Sequence, residues 1–140
     1  MDYKLELIIL PVSDVDVAKE FYTKKMGFNL DVDHKASEDF RVVQVTPPGS
    51  ACSVTFGVGI GDAEPGSVHG THLVVEDIEK AHAELSERGV EMDGIRNMGE
   101  DGWVDGPHPE RADYGSFAAF ADPDGNTWTL QEVGYSEASD

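Results

Sequence analysis

Short apolar runs along this chain alternate with two stretches of helical periodicity. Leu5 to Val12 (LELIILPV) is nearly continuous in apolar residues over strand length, the pattern of a largely buried strand. Ser13 or Asp14 then offers an N-cap. Val15, Ala18 and Tyr22 recur at i, i+3 and i+7, one face of a helix. Lys24 and Lys25 suit the negative end of that helix, and Gly27 ends it. Phe28 to Asp33, Phe40 to Val45 and Ala51 to Phe56 read as strands. A polar stretch separates the first two, and the turn Pro47-Pro48-Gly49 separates the last two. The order is β-α-β-β-β.

Gly57 to Gly70, with Gly59, Gly61, Pro65 and Gly66 inside it, reads as a surface linker. The same order then restarts. Gly70 to Val75 is a strand, and Asp77 opens a helix with Ile78, Ala81 and Leu85 on one face. Arg88 lies in its last turn and Gly89 ends it. Val90 to Ile95, Ser116 to Ala121 and Thr127 to Val133 follow as strands. Arg96 to Tyr114, rich in Gly, Pro and Asp, reads as an irregular loop, and Ser136 to Asp140 as a frayed tail. The phrase DPDGNTWTLQ (Asp122 to Gln131) repeats TPPGSACSVT (Thr46 to Thr55). In the former, Pro123 fixes φ and Gly125 accepts positive φ in a turn.

The capping aspartates lie 63 residues apart, the helix-ending glycines 62 and the turn prolines 76. The second half therefore carries 14 additional residues, assigned to the loop around Trp103 and His108. A loop of that length is a candidate for function. The fold expected is α+β, two tandem βαβββ modules at about 4–57 and 70–134 joined by a linker at 58–69, in one domain of 140 residues.

Composition narrows the partners. With 28 acidic and 10 basic residues the net charge is −18, which repels nucleic-acid phosphates and anionic lipid. The acids are scattered, as on a highly solvated surface suited to salt, rather than clustered for cation binding. No apolar run has signal-peptide or membrane-spanning character. Cys52 is the single cysteine, so no internal disulfide forms and a reducing cytoplasm fits.

Two βαβββ halves, VSDVDVAKEFYTKKMGF in the first and VVEDIEKAHAELSERGV in the second, with DPDGN before the last strand, resemble the vicinal oxygen chelate superfamily of glyoxalases, bleomycin-resistance proteins and extradiol dioxygenases. The resemblance runs from about Leu5 to Glu132. It implies an incomplete barrel with helices on the outer face, a ligand on the concave face, and a homodimer. In the family's enzymes four side chains there hold a divalent metal. Their positions fall on Leu7, Ser53, Gly70 and Thr129. Leucine and glycine have no donor atom, and hydroxyls are poor ligands beside carboxylate or imidazole. No metal is therefore expected at this place.

Alternation from those positions adds Leu5, Ile9, Ala51, Thr55, His72, Val74, Thr127 and Gln131 to an apolar face with few polar groups, the composition of a small-molecule pocket. His72 is the candidate acid or base; alternatively its ring bonds Gln131 or Thr129. Trp103, His108 and Tyr114 form either a lid over the cavity or a surface loop, and Arg111 is placed to meet an anionic ligand. A relocated metal on His69, His72 and His108 is a further alternative. Cys52 is expected to be a small buried residue on the Trp128 face. Two functions follow: a metal-free binder of a small organic molecule, or a lyase, isomerase or dioxygenase-type enzyme using His72 or a relocated divalent metal.

Overall fold

A computed structural model describes residues 1–137; of the tail expected to fray, 138–140 lie outside the described residues. The chain forms two compact units. One comprises Met1–Val68 with Asp122–Asn126, and the other His69–Ala121 with the chain from Thr127 onward. Each carries one mixed sheet and one helix, the tandem βαβββ plan expected from the repeat, and neither sheet closes into a barrel. Among the described residues no helix is long and apolar enough to cross a membrane.

In the first unit the elements are β1 (Leu7–Ile9), α1 (Val15–Glu20), β2 (Asn29–Ser37), β3 (Phe40–Thr46) and β4 (Ser53–Val58). The sheet order is β1-β4-β3-β2, with β1 parallel to β4 and the other pairs antiparallel. Asp14 caps α1, its carboxylate accepting the Val17 N–H at 3.1 Å. Val15, Ala18 and Tyr22 are all buried, as their spacing predicts. The helix ends in a π-helical turn, Phe21–Lys25. That wider turn lets the adjacent Phe21 and Tyr22 both reach the core, where their rings meet edge to face at 5.0 Å. Tyr22 also packs against Phe28 and Phe56.

The buried end of this core is polar. The Tyr22 hydroxyl donates to Asp122 Oδ2 at 2.7 Å and Asn126 Nδ2 donates to the same oxygen at 2.8 Å. The N–H groups of Asp124 and Asn126 both donate to Asp122 Oδ1 at 2.9 Å. Asn126 in turn bonds the Pro11 carbonyl (2.9 Å) and accepts the Val68 N–H (3.1 Å). The Asp122–Asn126 turn is thus built into the first unit, although β8 and β9 on either side of it belong to the second. Gly66 has to be glycine here: its φ is +82°, and a Cβ would stand 2.2 Å from the Asp124 carbonyl oxygen.

The second unit contains β5 (Thr71–Val75), α2 (Ile78–Glu87), β6 (Arg96–Gly99), β7 (Gly102–Asp105), β8 (Ser116–Ala121) and β9 (Thr127–Glu132). The sheet order is β5-β9-β8-β6-β7, with β5 parallel to β9. Asp77 caps α2, accepting the Lys80 N–H. Ile78 and Leu85 are buried and Ala81 is half-buried against the face bearing Trp128, Leu130 and Phe120.

Three expectations change. Strand β2 runs on through the polar stretch to Ser37, fully exposed along its length; ladder bonds to β3, rather than burial, hold it. Val90 to Ile95 is not a strand. Val90 closes the helix through its bond to the Leu85 carbonyl, and only Met92 bridges to Phe120. The strand equivalent to β2 is instead β6, and β7 folds back on it as an additional edge strand. The 14 additional residues are therefore β7 and the turn that follows, 102–115, and Trp103 stands on a strand.

Replacing Tyr22 by Phe deletes one donor to a buried carboxylate and keeps the ring. We expect a loss of about 1.5–3 kcal/mol, read from the urea midpoint. With −18 charge to screen, the melting temperature should rise as salt goes from about 0.1 to 1 M, where the Debye length falls from about 10 to 3 Å. A fall would show that ion pairs such as Asp33–Arg41 outweigh the self-repulsion.

Candidate functional site

Each sheet buries one face under its helix, and the other carries the candidate site residues. In the first unit Val54, Phe56, Val43 and Val45 lie on the helix side and are buried. The opposite face carries Leu7 and Ile9 from β1, Ser53 and Thr55 from β4, and Val42, Gln44 and Thr46 from β3, by strict alternation. Leu7 is the direct neighbour of Ser53, and Ile9 of Thr55. Leu5 lies before β1 and is exposed, and Ala51 and Cys52 precede β4. Cys52 is only half-buried, its thiol near the Ser53 carbonyl at 3.6 Å, because the strand starts two residues later than expected, at Ser53.

On this face the hydroxyls form a chain. Gln44 Nε2 reaches Ser53 Oγ at 3.4 Å, Ser53 Oγ lies 2.7 Å from Thr46 Oγ1, and Thr46 bonds the Asp31 carboxylate. Behind the sheet, Arg41 grips Asp33 with two bonds of 3.0 and 2.9 Å, and Lys19 adds a third at 2.7 Å. The Arg41 bonds first, and Lys19 next, hold the Asp33 carboxyl well below its usual range.

In the second unit the helix side holds Trp128, Leu130, Glu132, Phe120 and Ala118. The open side carries His72 and Val74 from β5, Thr129 and Gln131 from β9, and Phe117 and Ala119 from β8. Arg96 and Met98 on β6 and Trp103 on β7 complete it. Trp103 is 49% exposed. Its ring meets Phe117 edge to face at 5.5 Å, and the Arg96 guanidinium stacks 4.2 Å from its centre. Alternation in β8 would have pointed to Phe117. Arg96 became visible only with the β6–β7 register.

His72 is exposed rather than enclosed. It bonds neither Gln131 nor Thr129; its Nδ1 lies 2.6 Å from the Gly70 carbonyl oxygen. A carbonyl only accepts, so Nδ1 carries a proton, and in the neutral ring Nε2 is the acceptor. The ladder also revises the repeat. Leu7 pairs with Ser53, whereas Thr129 pairs with His72 and not with Gly70. The first strands correspond at 65 residues instead of 63, because Leu10 to the Asp14 cap is two residues longer than Val75 to the Asp77 cap. Gly70 lies just before β5 with φ +78°, its N–H bonded to Thr127.

The stretch expected as a loop or lid is pinned in place. Asn97 Nδ2 holds the carbonyls of Gly106 (2.9 Å) and Pro107 (3.3 Å). The His108 N–H bonds Ser116 Oγ, while its Nδ1 accepts the N–H groups of Glu110 and Ala112. The Tyr114 N–H bonds the Glu132 carbonyl, and the Tyr114 carbonyl accepts Gln131 Nε2 at 3.3 Å. Arg111 does not face a ligand. It pairs with fully buried Glu132 through bonds of 2.8 and 2.6 Å and reaches Glu79 at 2.7 Å. Glu132 also accepts the Ile78 N–H at the start of α2, at 2.8 Å. The hydrogen bonds that Arg111 donates to Glu132 push its guanidinium further above its ordinary value, against the effect of burial. Arg111 and Tyr114 both have positive φ, 51° and 64°, strain that these bonds hold in place.

The donor set does not fit the family's divalent ion. Leu7 and Gly70 offer no side-chain donor, Ser53 is committed to its neighbours, and Thr129 and His72 bring one hydroxyl and one imidazole. Among the described residues no three His, Cys, Asp or Glu side chains are grouped to hold a metal. His69 stands apart, 3.5 Å from the Thr127 hydroxyl.

Comparison with known proteins agrees with this geometry. Residues 4–130 match the model of the Glyoxalase/Bleomycin resistance protein/Dioxygenase superfamily. An uncharacterized protein of Shewanella frigidimarina is 31% identical over 136 residues, covering 90% of each chain. Among solved structures, TnmS3, an antibiotic binding protein from Streptomyces sp. CB03234, is similar with a TM-score of 0.72 and 32% identity, over 94% of this chain and 96% of its own. A superfamily member from Sphaerobacter thermophilus reaches 0.72 at 29% identity, over 94% and 98% of the two chains.

Arg111→Ala would leave the buried Glu132 carboxylate without its cation. We expect about 3–5 kcal/mol of destabilisation at neutral pH, measured by urea unfolding. A loss under about 1 kcal/mol would mean that the pair is solvated like a surface ion pair.

Proposed function

The chain belongs to the glyoxalase/bleomycin resistance protein/dioxygenase superfamily, and within it we propose that it binds a small, largely planar organic molecule without the family's metal. The observation that carries this is the open face of the second sheet. There a half-exposed Trp103 stands against Phe117 and beneath Arg96, and Phe117 in turn is paired with Gln131 on β9. Aromatic surface with a few fixed polar groups is how proteins hold apolar ligands in one orientation. The antibiotic binding by the similar Streptomyces protein supports the same class of ligand. The reading extends to a homodimer, which the family resemblance supports, and to a cytoplasmic setting, which the lone cysteine favours.

A second reading rests on His72. With Nδ1–H given to the Gly70 carbonyl, its Nε2 is in the tautomer a general base needs. Proton abstraction from a small oxygenated substrate, in isomerase or lyase chemistry, would use that nitrogen.

A thermal-shift screen of planar aromatic compounds, antibiotics included, tests the first reading. At a hundredfold excess over Kd a true ligand adds about 2.7 kcal/mol to stability. Trp103→Ala should weaken it roughly tenfold or more. A variant that binds every hit as well as wild type does removes the Trp103 face as the site. Retained metal in stoichiometric amount would overturn the metal-free part. If a substrate is found and His72→Ala keeps full turnover, His72 is not the base.

A further inference from the structure

One buried side-chain nitrogen or oxygen among the described residues has no hydrogen-bond partner: the Thr55 hydroxyl. Thr55 is 6% exposed and lies on the open face of the first sheet, between Ile9 on β1 and Gln44 on β3. Buried hydroxyls without partners are uncommon because a lost hydrogen bond to water is not replaced.

The neighbours show what kind of partner is missing. Asp31 as a carboxylate only accepts, so Thr46 gives it its proton. Thr46 Oγ1 must then accept from Ser53, at 2.7 Å. Ser53 Oγ in turn accepts from Gln44 Nε2, at 3.4 Å. The proton direction is thereby set along the whole chain from Asp31, and none of these groups turns to Thr55. Two functions remain unspent side by side: the Thr55 hydroxyl, and Gln44 Oε1, an acceptor. Ile9, 49% exposed, and Gln44 are the residues paired with Thr55 on its two sides.

We propose that Thr55, with Gln44, is the specificity subsite of the first sheet and selects a neutral hydroxyl group, phenolic or enolic, on an otherwise apolar molecule. A hydroxyl accepts from Thr55 and donates to Gln44 Oε1, so both are satisfied at once. A carboxylate has no proton for Gln44, stands near Asp31, and meets a protein of net charge −18. An aliphatic group leaves the Thr55 hydroxyl as it was. This inference rests on the small-molecule reading above and adds what the ligand must carry.

The test uses 2-naphthol and 2-methylnaphthalene, rings of one size with and without the hydroxyl, in equilibrium dialysis against the intact protein and Thr55→Val. Wild type should prefer 2-naphthol about tenfold. Thr55→Val should lose that preference while binding 2-methylnaphthalene unchanged. Without any compound, Thr55→Val should melt about 3–6 °C higher, since it removes a buried unpaired hydroxyl at constant shape. Equal affinity of wild type for the two compounds overturns the subsite and leaves the binding reading standing, as does a preference that survives in Thr55→Val. A lower melting temperature for the variant shows the hydroxyl already satisfied, and also overturns it. Binding of neither compound at millimolar concentration overturns both readings.

Discussion

A single carboxylate, Asp122, organises the polar end of the first unit's core. Four donors converge on it: the Tyr22 hydroxyl, the Asn126 amide and two backbone N–H groups. A buried carboxylate is tolerable only when its lone pairs are used in this way. The requirement explains why the residues around it have so little freedom. Asn126 must place one amide on Asp122, Pro11 and Val68 together. Tyr22 must enter the core with its hydroxyl on the buried Asp122 carboxylate. The connection between β8 and β9 is therefore part of the first unit.

The two halves solve the same packing problem with different chemistry. Phe56 on β4 corresponds to Glu132 on β9, both fully buried. Phe56 packs its ring on Tyr22. Glu132 caps α2 instead and needs a cation, which Arg111 supplies from the turn after β7. The additional residues of the second half thus have a structural role. They carry Arg111 to a buried charge, and on the way they place Trp103 on the open face of the sheet. What reads as a loose loop is an edge strand and a turn closed by Asn97, Ser116 and Glu132.

The open faces differ as well. The first sheet presents hydroxyls and an amide whose protons are ordered by Asp31. The second presents aromatic rings, a guanidinium and an imidazole. Among the described residues neither face groups three His, Cys, Asp or Glu side chains. Fold alone does not carry an activity.

Much of the architecture follows from the amino-acid sequence by itself. Asp14 and Asp77 as caps, the buried faces of both helices and the tandem order are local patterns, set by spacing and by the conformational limits of glycine and proline. Alternation placed Ser53, Thr55, Thr129 and Gln131 on the open faces, because the side-chain period of a strand is two. Tertiary structure decided what depends on a distant partner. The β5 register moved the position beside Thr129 from Gly70 to His72, since the link from strand to helix is shorter by two residues in the second half. Arg111 turned inward because Glu132 lies buried 21 residues further along the chain. The extension of β2 to Ser37 and the whole of β7 formed without apolar patterning, because ladder hydrogen bonds to a neighbour hold an exposed edge and periodicity records only burial.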